Sequence, residues 1–160
     1  MLLGVISDTH GNAPNTQKAL NLFREKKIKI ILHAGDFGSA SFLSLFSDFR
    51  LYLSYGNCDS TYELSANLFA SENHPSPEKE QIISFKNKNI FCLHGDDSYA
   101  LKRAVESAKY DYVIKGHTHF TEDYKFEKTR ILNPGALYRA NIISAGILDI
   151  ESDDWRVISI

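Results

Sequence analysis

Two histidines one residue apart, His117 and His119, close an apolar run in "YVIKGHTHF". A strand that ends in Gly-His-x-His can aim both imidazoles at one place, and imidazole serves as a general base and as a ligand for transition-metal ions. Polar donors of the same kind recur along the chain at the ends of apolar runs. "LLGVIS" stops at Asp8 and His10, "IKIILHAGD" at Asp36, "LYLSYGNCD" at Asn57 and "IFCLHGD" at His94. Together with His117 and His119 these seven side chains exceed what one metal ion takes and suit two. A shared carboxylate can bridge divalent ions roughly 3.5–4 Å apart, as in many phosphoryl-hydrolysing sites. Mixed imidazole and carboxylate ligands favour Mn, Fe, Zn or Ni over Mg or Ca. Glycines stand beside the donors, at Gly11, Gly35, Gly56, Gly95 and Gly116, where the backbone must turn or be approached closely.

Strands are needed to carry these donors. The apolar run at residues 2–7 reads as a buried strand feeding a loop. Pro14 suits the first turn of a following helix, whose apolar face runs through Ala19, Leu20, Leu22 and Phe23. "IKIILHAGD" repeats the scheme, with "SASFLSLFSDF" as the next helix, and "LYLSYGNCD" is a third strand. "STYELSANLFAS" reads as a further helical stretch, stopped by the two prolines of "NHPSPE". "EQIISFKNKNIFCLHGDD" then reads as two strands joined at Asn-Lys-Asn, and "SYALKRAVESAKY" as an amphipathic helix. "DYVIKGHTHF", "TRILNPGA", "SAGILDI" and "WRVISI" follow as successive strands. The first half is β-α-β-α-β, which favours a parallel sheet with helical crossovers. The strand-rich second half makes a second sheet or an antiparallel extension of the first. In open α/β sheets the loops beyond the strands' carboxyl ends share one rim, so the seven donors are expected to meet there.

The bulk composition sets limits. At 160 residues the chain is expected to be one α/β domain, residues 1–160, with a sizeable core. A formal net charge of −2 gives no reason to expect nucleic acid or an anionic membrane as partner. No apolar run approaches the ~18 residues that cross a bilayer, and "MLLGVIS" is too short for a signal peptide. Cys58 and Cys92 form no CxxC pair, so a reducing, cytoplasmic setting with free thiols is expected. Ten Phe and eight Tyr predict an aromatic-rich core and are compatible with a homodimer.

Taken singly, each donor has an ordinary explanation. Asp8 and His10 suit a polar turn, Asp36 and Asn57 suit helix caps, and His94 suits a satisfied buried histidine. His117 and His119 suit a solvated strand end. His33, before "AGD", either supports the site from behind by a hydrogen bond or is structural. His74, beside Pro75, is expected to be solvated, and Cys92 to be a small core residue. Cys58 shows no helix dipole or base that would activate it as a nucleophile. Arg139 is either a surface arginine or a bidentate donor to a substrate phosphate. "REKKIK" reads as the solvent face of a helix end.

Six segments in order, "DTHGN", "HAGD", "GNCD", "LHGD", "GHTH" and "NPGA", change that weighting. Spread from Asp8 to Gly135, they resemble the motif series of the calcineurin-like metallophosphoesterases, and most closely the small single-domain phosphodiesterase branch. The resemblance implies a sandwich of two mixed β-sheets flanked by helices, in α/β/β/α order. It implies that Asp8, His10 and His119 hold one divalent ion and Asn57, His94 and His117 the other, with Asp36 bridging. Manganese comes first among the ions, with Ni, Fe or Zn as alternatives. Asp36, Asn57 and His94 are expected to take part in catalysis as well. The implied reaction is hydrolysis of a small phosphoester by in-line attack of a metal-bridging hydroxide, with no covalent enzyme intermediate.

Three departures from the family pattern carry consequences. Cys58 stands where many members have His to protonate the leaving group. A thiol near pKa 8.5 is a poor substitute, so good leaving groups are expected. Asp96 follows Gly95 where many members read "HGH", and Ala136 replaces the serine of "NPGS". Two other readings remain alongside the phosphodiesterase: a protein-binding scaffold on the same fold, and a phosphomonoesterase.

Overall fold

The computed structural model describes residues 1–68 and 74–160. Among them the chain forms two five-stranded sheets packed face to face. The first is built from β1 (Leu2–Ile6), β2 (Ile30–Ala34), β3 (Arg50–Ser54), β9 (Ser144–Asp149) and β10 (Asp154–Ser159), in the order β10-β9-β1-β2-β3. The second is built from β4 (Glu80–Phe85), β5 (Lys88–Leu93), β6 (Tyr112–Ile114), β7 (Thr121–Phe126) and β8 (Thr129–Pro134), in the order β4-β5-β6-β8-β7. β1, β2 and β3 run parallel, as do β5, β6 and β8. The remaining ladders are antiparallel, so both sheets are mixed. The second half therefore does both expected things: β4–β8 make a second sheet, while β9 and β10 extend the first antiparallel.

Strand alternation divides the core into layers. In β1, Leu3 and Val5 enter the space between the sheets while Ile6 faces α1 (Ala13–Glu25). In β2, Leu32 and Ala34 point to the second sheet and Ile31 to Leu20 and Phe23 of α1. In β5, Ile90 and Cys92 point inward, whereas Phe91 and Leu93 pack on Ala100 and Ala104 of α3 (Ser98–Glu106). Helices thus cover the two outer faces, giving the expected α/β/β/α order.

Local signals explain most boundaries. α1 begins with Asn12 as its cap, accepting from Asn15 N, and with Pro14 in the first turn, where no intrahelical N–H is lost. Asp97 caps α3 by accepting from the backbone N–H of Tyr99 and Ala100 at 3.0 Å each. The Asp that departs from the family's "HGH" spacing is thus paired with a second Asp committed to helix capping.

Two points need correction and two are refined. "SASFLSLFSDF" forms the expected helix, as a 3-10 helix (Ala40–Phe46). β7 was not foreseen, because its side chains are almost all exposed and show no apolar alternation. His74 is not simply solvated: its Nδ1 accepts from Leu51 N at 3.3 Å and it is half-buried. The basic "REKKIK" lies on the exposed end of α1 as expected, with Arg24 gripping Asp48 through two bonds of 2.8 Å and stacking over Phe49. α2 (Thr61–Leu68) confirms the helix proposed for residues 60–71 over its own length; residues 69–71 lie outside the described part.

Candidate metal centre

The carboxyl ends of β1, β2, β3, β5 and β6 open onto one rim, and six of the seven donors meet there in a closed circuit. His119 Nε2 lies 3.2 Å from Asp8 Oδ1. Asp8 Oδ2 accepts from His117 N at 3.1 Å. His117 Nδ1 lies 3.2 Å from His94 Nε2, and His94 Nε2 is 3.5 Å from Asp36 Oδ1. Asp36 Oδ2 is 3.5 Å from His10 Nε2, whose ring returns to within 5.8 Å of the His119 ring. Asn57 joins less directly. Its side chain is exposed and rests on Cys58 Sγ, while Cys58 N donates to Asp36 Oδ1 at 2.9 Å.

Backbone strain concentrates on this circuit. Asp8, His10, Asp36, His117 and His119 all have positive φ, between 41° and 67°. This region is uncommon for residues with a side chain; each such residue costs of order 1 kcal/mol and persists only where its surroundings enforce it. Close backbone approach is enforced too: a Cβ at Gly116 would collide with Ser7 Oγ and Asp8, and one at Gly56 with Asp36. These two glycines let the loops of different strands interpenetrate.

The hydrogen bonds behind the circuit fix which atoms face inward. His94 donates Nδ1–H to Ala34 O at 2.8 Å, leaving the Nε2 lone pair toward Asp36. His119 likewise places Nδ1 3.1 Å from Arg139 O, with Nε2 toward Asp8. Such bonds set the tautomer that a metal-binding imidazole needs. Asp8 is fully buried, and its Oδ1 has no hydrogen-bond partner although His119 Nε2 is near. A buried carboxylate oxygen facing an imidazole lone pair is an acceptor facing an acceptor, an arrangement a cation resolves. Three groupings of side chains could hold an ion: Asp8, His10 and His119; Asp8, Asp36 and His94; and His10, Asp36 and Cys58. The donor set fits divalent ions.

Electrostatics follow the same geometry. Burial alone would raise the Asp36 carboxyl, but the neighbouring His94 ring and the hydrogen bond from Cys58 N outweigh it and hold it well below its ordinary value. A hydrogen bond to Asp36, with some burial, pushes the Cys58 thiol up. Cys92 is wholly buried and pushed up to about 12 by desolvation, which agrees with a core role.

Several supporting residues were missed in the sequence. Asp59 accepts from Gly38 N at 3.0 Å and Gly56 N at 2.8 Å, pinning the Asp36 loop to the Asn57 loop. Ser7 Oγ lies 2.6 Å from Asp8 Oδ2. Asn133 donates Nδ2 to Gly116 O and to Thr118 Oγ1, at 3.0 and 3.1 Å, which gives the Asn of "NPGA" the task of holding the "GHTH" loop. Ala136, where the family's serine is lost, is fully buried.

His33 supports the site from behind. It is buried, and its Nε2 lies 2.9 Å from Thr9 Oγ1, whose proton goes to Phe37 O at 2.9 Å. Nε2 therefore carries the hydrogen, and the pair ties the Asp8–His10 loop to the residue after Asp36. Burial, with repulsion from His94 and His10 outweighing attraction by Asp36, lowers the His33 pKa to about 3. Above pH 6.5 both folded and unfolded chains hold this ring neutral. Below it only the unfolded chain takes up the proton, so stability falls by about 1.4 kcal/mol per pH unit. For metal-free protein the urea midpoint at pH 5 should reflect a loss of about 2 kcal/mol from this residue relative to pH 7. His33→Gln should show a shallower pH slope; an unchanged slope would remove His33 from the account.

Imidazoles and carboxylates gathered where two facing mixed sheets end, with helices outside, define the architecture of a metal-dependent phosphoric ester hydrolase. Comparison with known proteins agrees. Residues 1–153 match the calcineurin-like phosphoesterase superfamily domain, and the chain belongs to that superfamily. It is 30% identical to phosphodiesterase MJ0936 of Methanocaldococcus jannaschii over 99% of this chain and 98% of that one. The structure of an archaeal phosphodiesterase superposes with a TM-score of 0.93 at 30% identity, covering both chains in full. Zinc-complexed Vps29 of Entamoeba histolytica shares the fold, with a TM-score of 0.72, 22% identity and coverage of 98% and 90%. The protein is a small metallophosphoesterase. No helix among the described residues is long and apolar enough to cross a membrane.

Proposed function

We propose that this protein is a cytoplasmic phosphodiesterase that hydrolyses small phosphodiesters with two divalent ions, manganese first among them. The observation that carries the reading is the circuit of facing lone pairs around Asp8 and Asp36, with Asp8 Oδ1 buried and unpartnered. Asp8, His10 and His119 would hold one ion; Asn57, His94 and His117 the other; Asp36 would be shared. The full-length likeness to an enzyme named a phosphodiesterase supports it. When bound, such a pair supplies hydroxide at neutral pH and offsets negative charge on the phosphoryl oxygens.

The chain's own residues do the rest. Asp36 presents Oδ1 toward His94 and Oδ2 toward His10, the orientation a shared carboxylate requires. Ala34 O and Arg139 O keep two imidazoles turned with Nε2 inward. Arg139 lies at the rim beside His117 and His119, an exposed guanidinium available to a phosphate oxygen. With Cys58 in place of a histidine, esters whose leaving groups depart as stable anions are favoured.

The test is hydrolysis of bis-p-nitrophenyl phosphate and p-nitrophenyl phosphate by metal-stripped protein, with Mn, Ni, Zn, Fe and Mg restored separately. Activity should return with a transition metal and be greater on the diester. Greater activity on the monoester would make the protein a phosphomonoesterase. Folded protein inactive with every ion would leave the scaffold.

A further inference from the structure

Beside the metal centre are two contiguous hollows of unlike character. One, of about 350 Å³, is bounded by His117, His119, Phe120, Arg139 and Asn141. The other, of about 380 Å³, continues from His119, Phe120 and Asn141 to Ile142 and Val157. Both volumes suit a small organic group. The first has the imidazoles and guanidinium that a phosphate diester would meet. The second is walled by three apolar side chains left in water, with Phe120 67%, Ile142 64% and Val157 40% exposed. They come from three separate segments: the loop before β7, the loop before β9, and β10. Sequence-distant apolar groups converging at the mouth of a polar site mark a ligand surface better than scattered exposure does.

We infer that the Phe120–Ile142–Val157 hollow is a subsite for a flat aromatic ring on the ester arm the enzyme retains. The inference rests on the phosphoester reading of the metal centre. A ring laid on Phe120 covers apolar surface and gains an aromatic contact, while the phosphate reaches back past His119. A phosphomonoester has no second arm to place there, so the subsite also gives a diester an advantage. The ring can be an aryl group or a nucleobase; the wall chemistry accepts either.

The experiment compares three diesters with one common leaving group: methyl p-nitrophenyl phosphate, phenyl p-nitrophenyl phosphate and thymidine 5′-p-nitrophenyl phosphate. In each, water adds to phosphorus and the P–O bond to p-nitrophenolate breaks. The retained arm leaves as a phosphomonoester and a proton is released, so rate differences report the retained arm alone. The kcat/KM of at least one ring-bearing diester should exceed that of the methyl ester by about tenfold, the worth of one aromatic contact with its buried area. That ratio should fall toward one, through KM, in Phe120→Ala and in Ile142→Ser, both at exposed positions where folding is not at stake. The better of the phenyl and thymidine arms identifies the source of the ring. Calorimetry with diphenyl phosphate and dimethyl phosphate on the metal-loaded protein gives a readout independent of turnover. Phe120-dependent preference for diphenyl phosphate without any hydrolysis would uphold the subsite and defeat the hydrolase. Hydrolysis of all three diesters with equal kcat/KM, or a ratio unmoved by both variants, would overturn the subsite and leave the hydrolase standing.

Discussion

Asp36→Asn should reduce kcat/KM for a phosphodiester by more than about 10³-fold while leaving the fold intact. The loss is set at no less than that of removing one charge-stabilising group from an active site, because this carboxylate faces both halves of the ligand circuit. Its Oδ1 lies near His94 and its Oδ2 near His10. An amide of the same shape still accepts the Cys58 N–H at Oδ1, so the loop is held while the charge is lost. Metal content measured on the variant should fall with activity, and circular dichroism should not change. Asp48→Asn, which breaks the surface pair with Arg24 on the helical side, should leave turnover as it is. If Asp36→Asn keeps more than about a tenth of the wild-type kcat/KM, Asp36 is not the shared ligand.

The site was legible because its donors follow strand ends, and strand ends are what an apolar run followed by a polar break reveals. Asp8, Asp36, Asn57, His94 and His117 all come within three residues of the last residue of β1, β2, β3, β5 and β6. Whether the two halves of the chain faced each other was not legible from periodicity. Leu32 and Cys92 look alike in sequence whether they share a sheet or oppose across a core. The resemblance to a known family supplied that step. Strain was legible only in part. Flanking glycines marked where the backbone bends, and Gly11, Gly35 and Gly95 do take positive φ, but so do Asp8, His10, Asp36, His117 and His119 themselves. Asp and His take such angles more readily than most residues, but residue type alone does not mark the position, because only the finished packing compels it. Asp59, Ser7 and Asn133 went unseen for a related reason. Each is short and polar within two residues of a glycine or a ligand, which in sequence is indistinguishable from turn chemistry.

Removing metal should cost the protein stability as well as activity. The folded chain keeps Asp8 buried with Oδ1 unpartnered and Asp36 buried between the His10 and His94 imidazoles, and holds five residues at unfavourable φ. Unfolding returns the carboxylates to water and relaxes those angles, so an ion bound only by the folded chain acts directly on the folding equilibrium. At a free ion concentration a thousand times the dissociation constant, one site stabilises by about 4 kcal/mol. For a chain of this size each kcal/mol moves the melting temperature by roughly 2–4 °C, so chelation should lower it by about 10 °C. The shift should shrink in Asp8→Asn, whose amide N–H can donate to the facing His119 Nε2 lone pair and which deprives the ion of a charge. Scans with Mn, Zn, Ni and Fe then rank the ions by their effect on folding, free of the rate each supports. Chelated and metal-loaded proteins melting together under every ion would mean that these seven side chains hold none, and that the strain serves some other end.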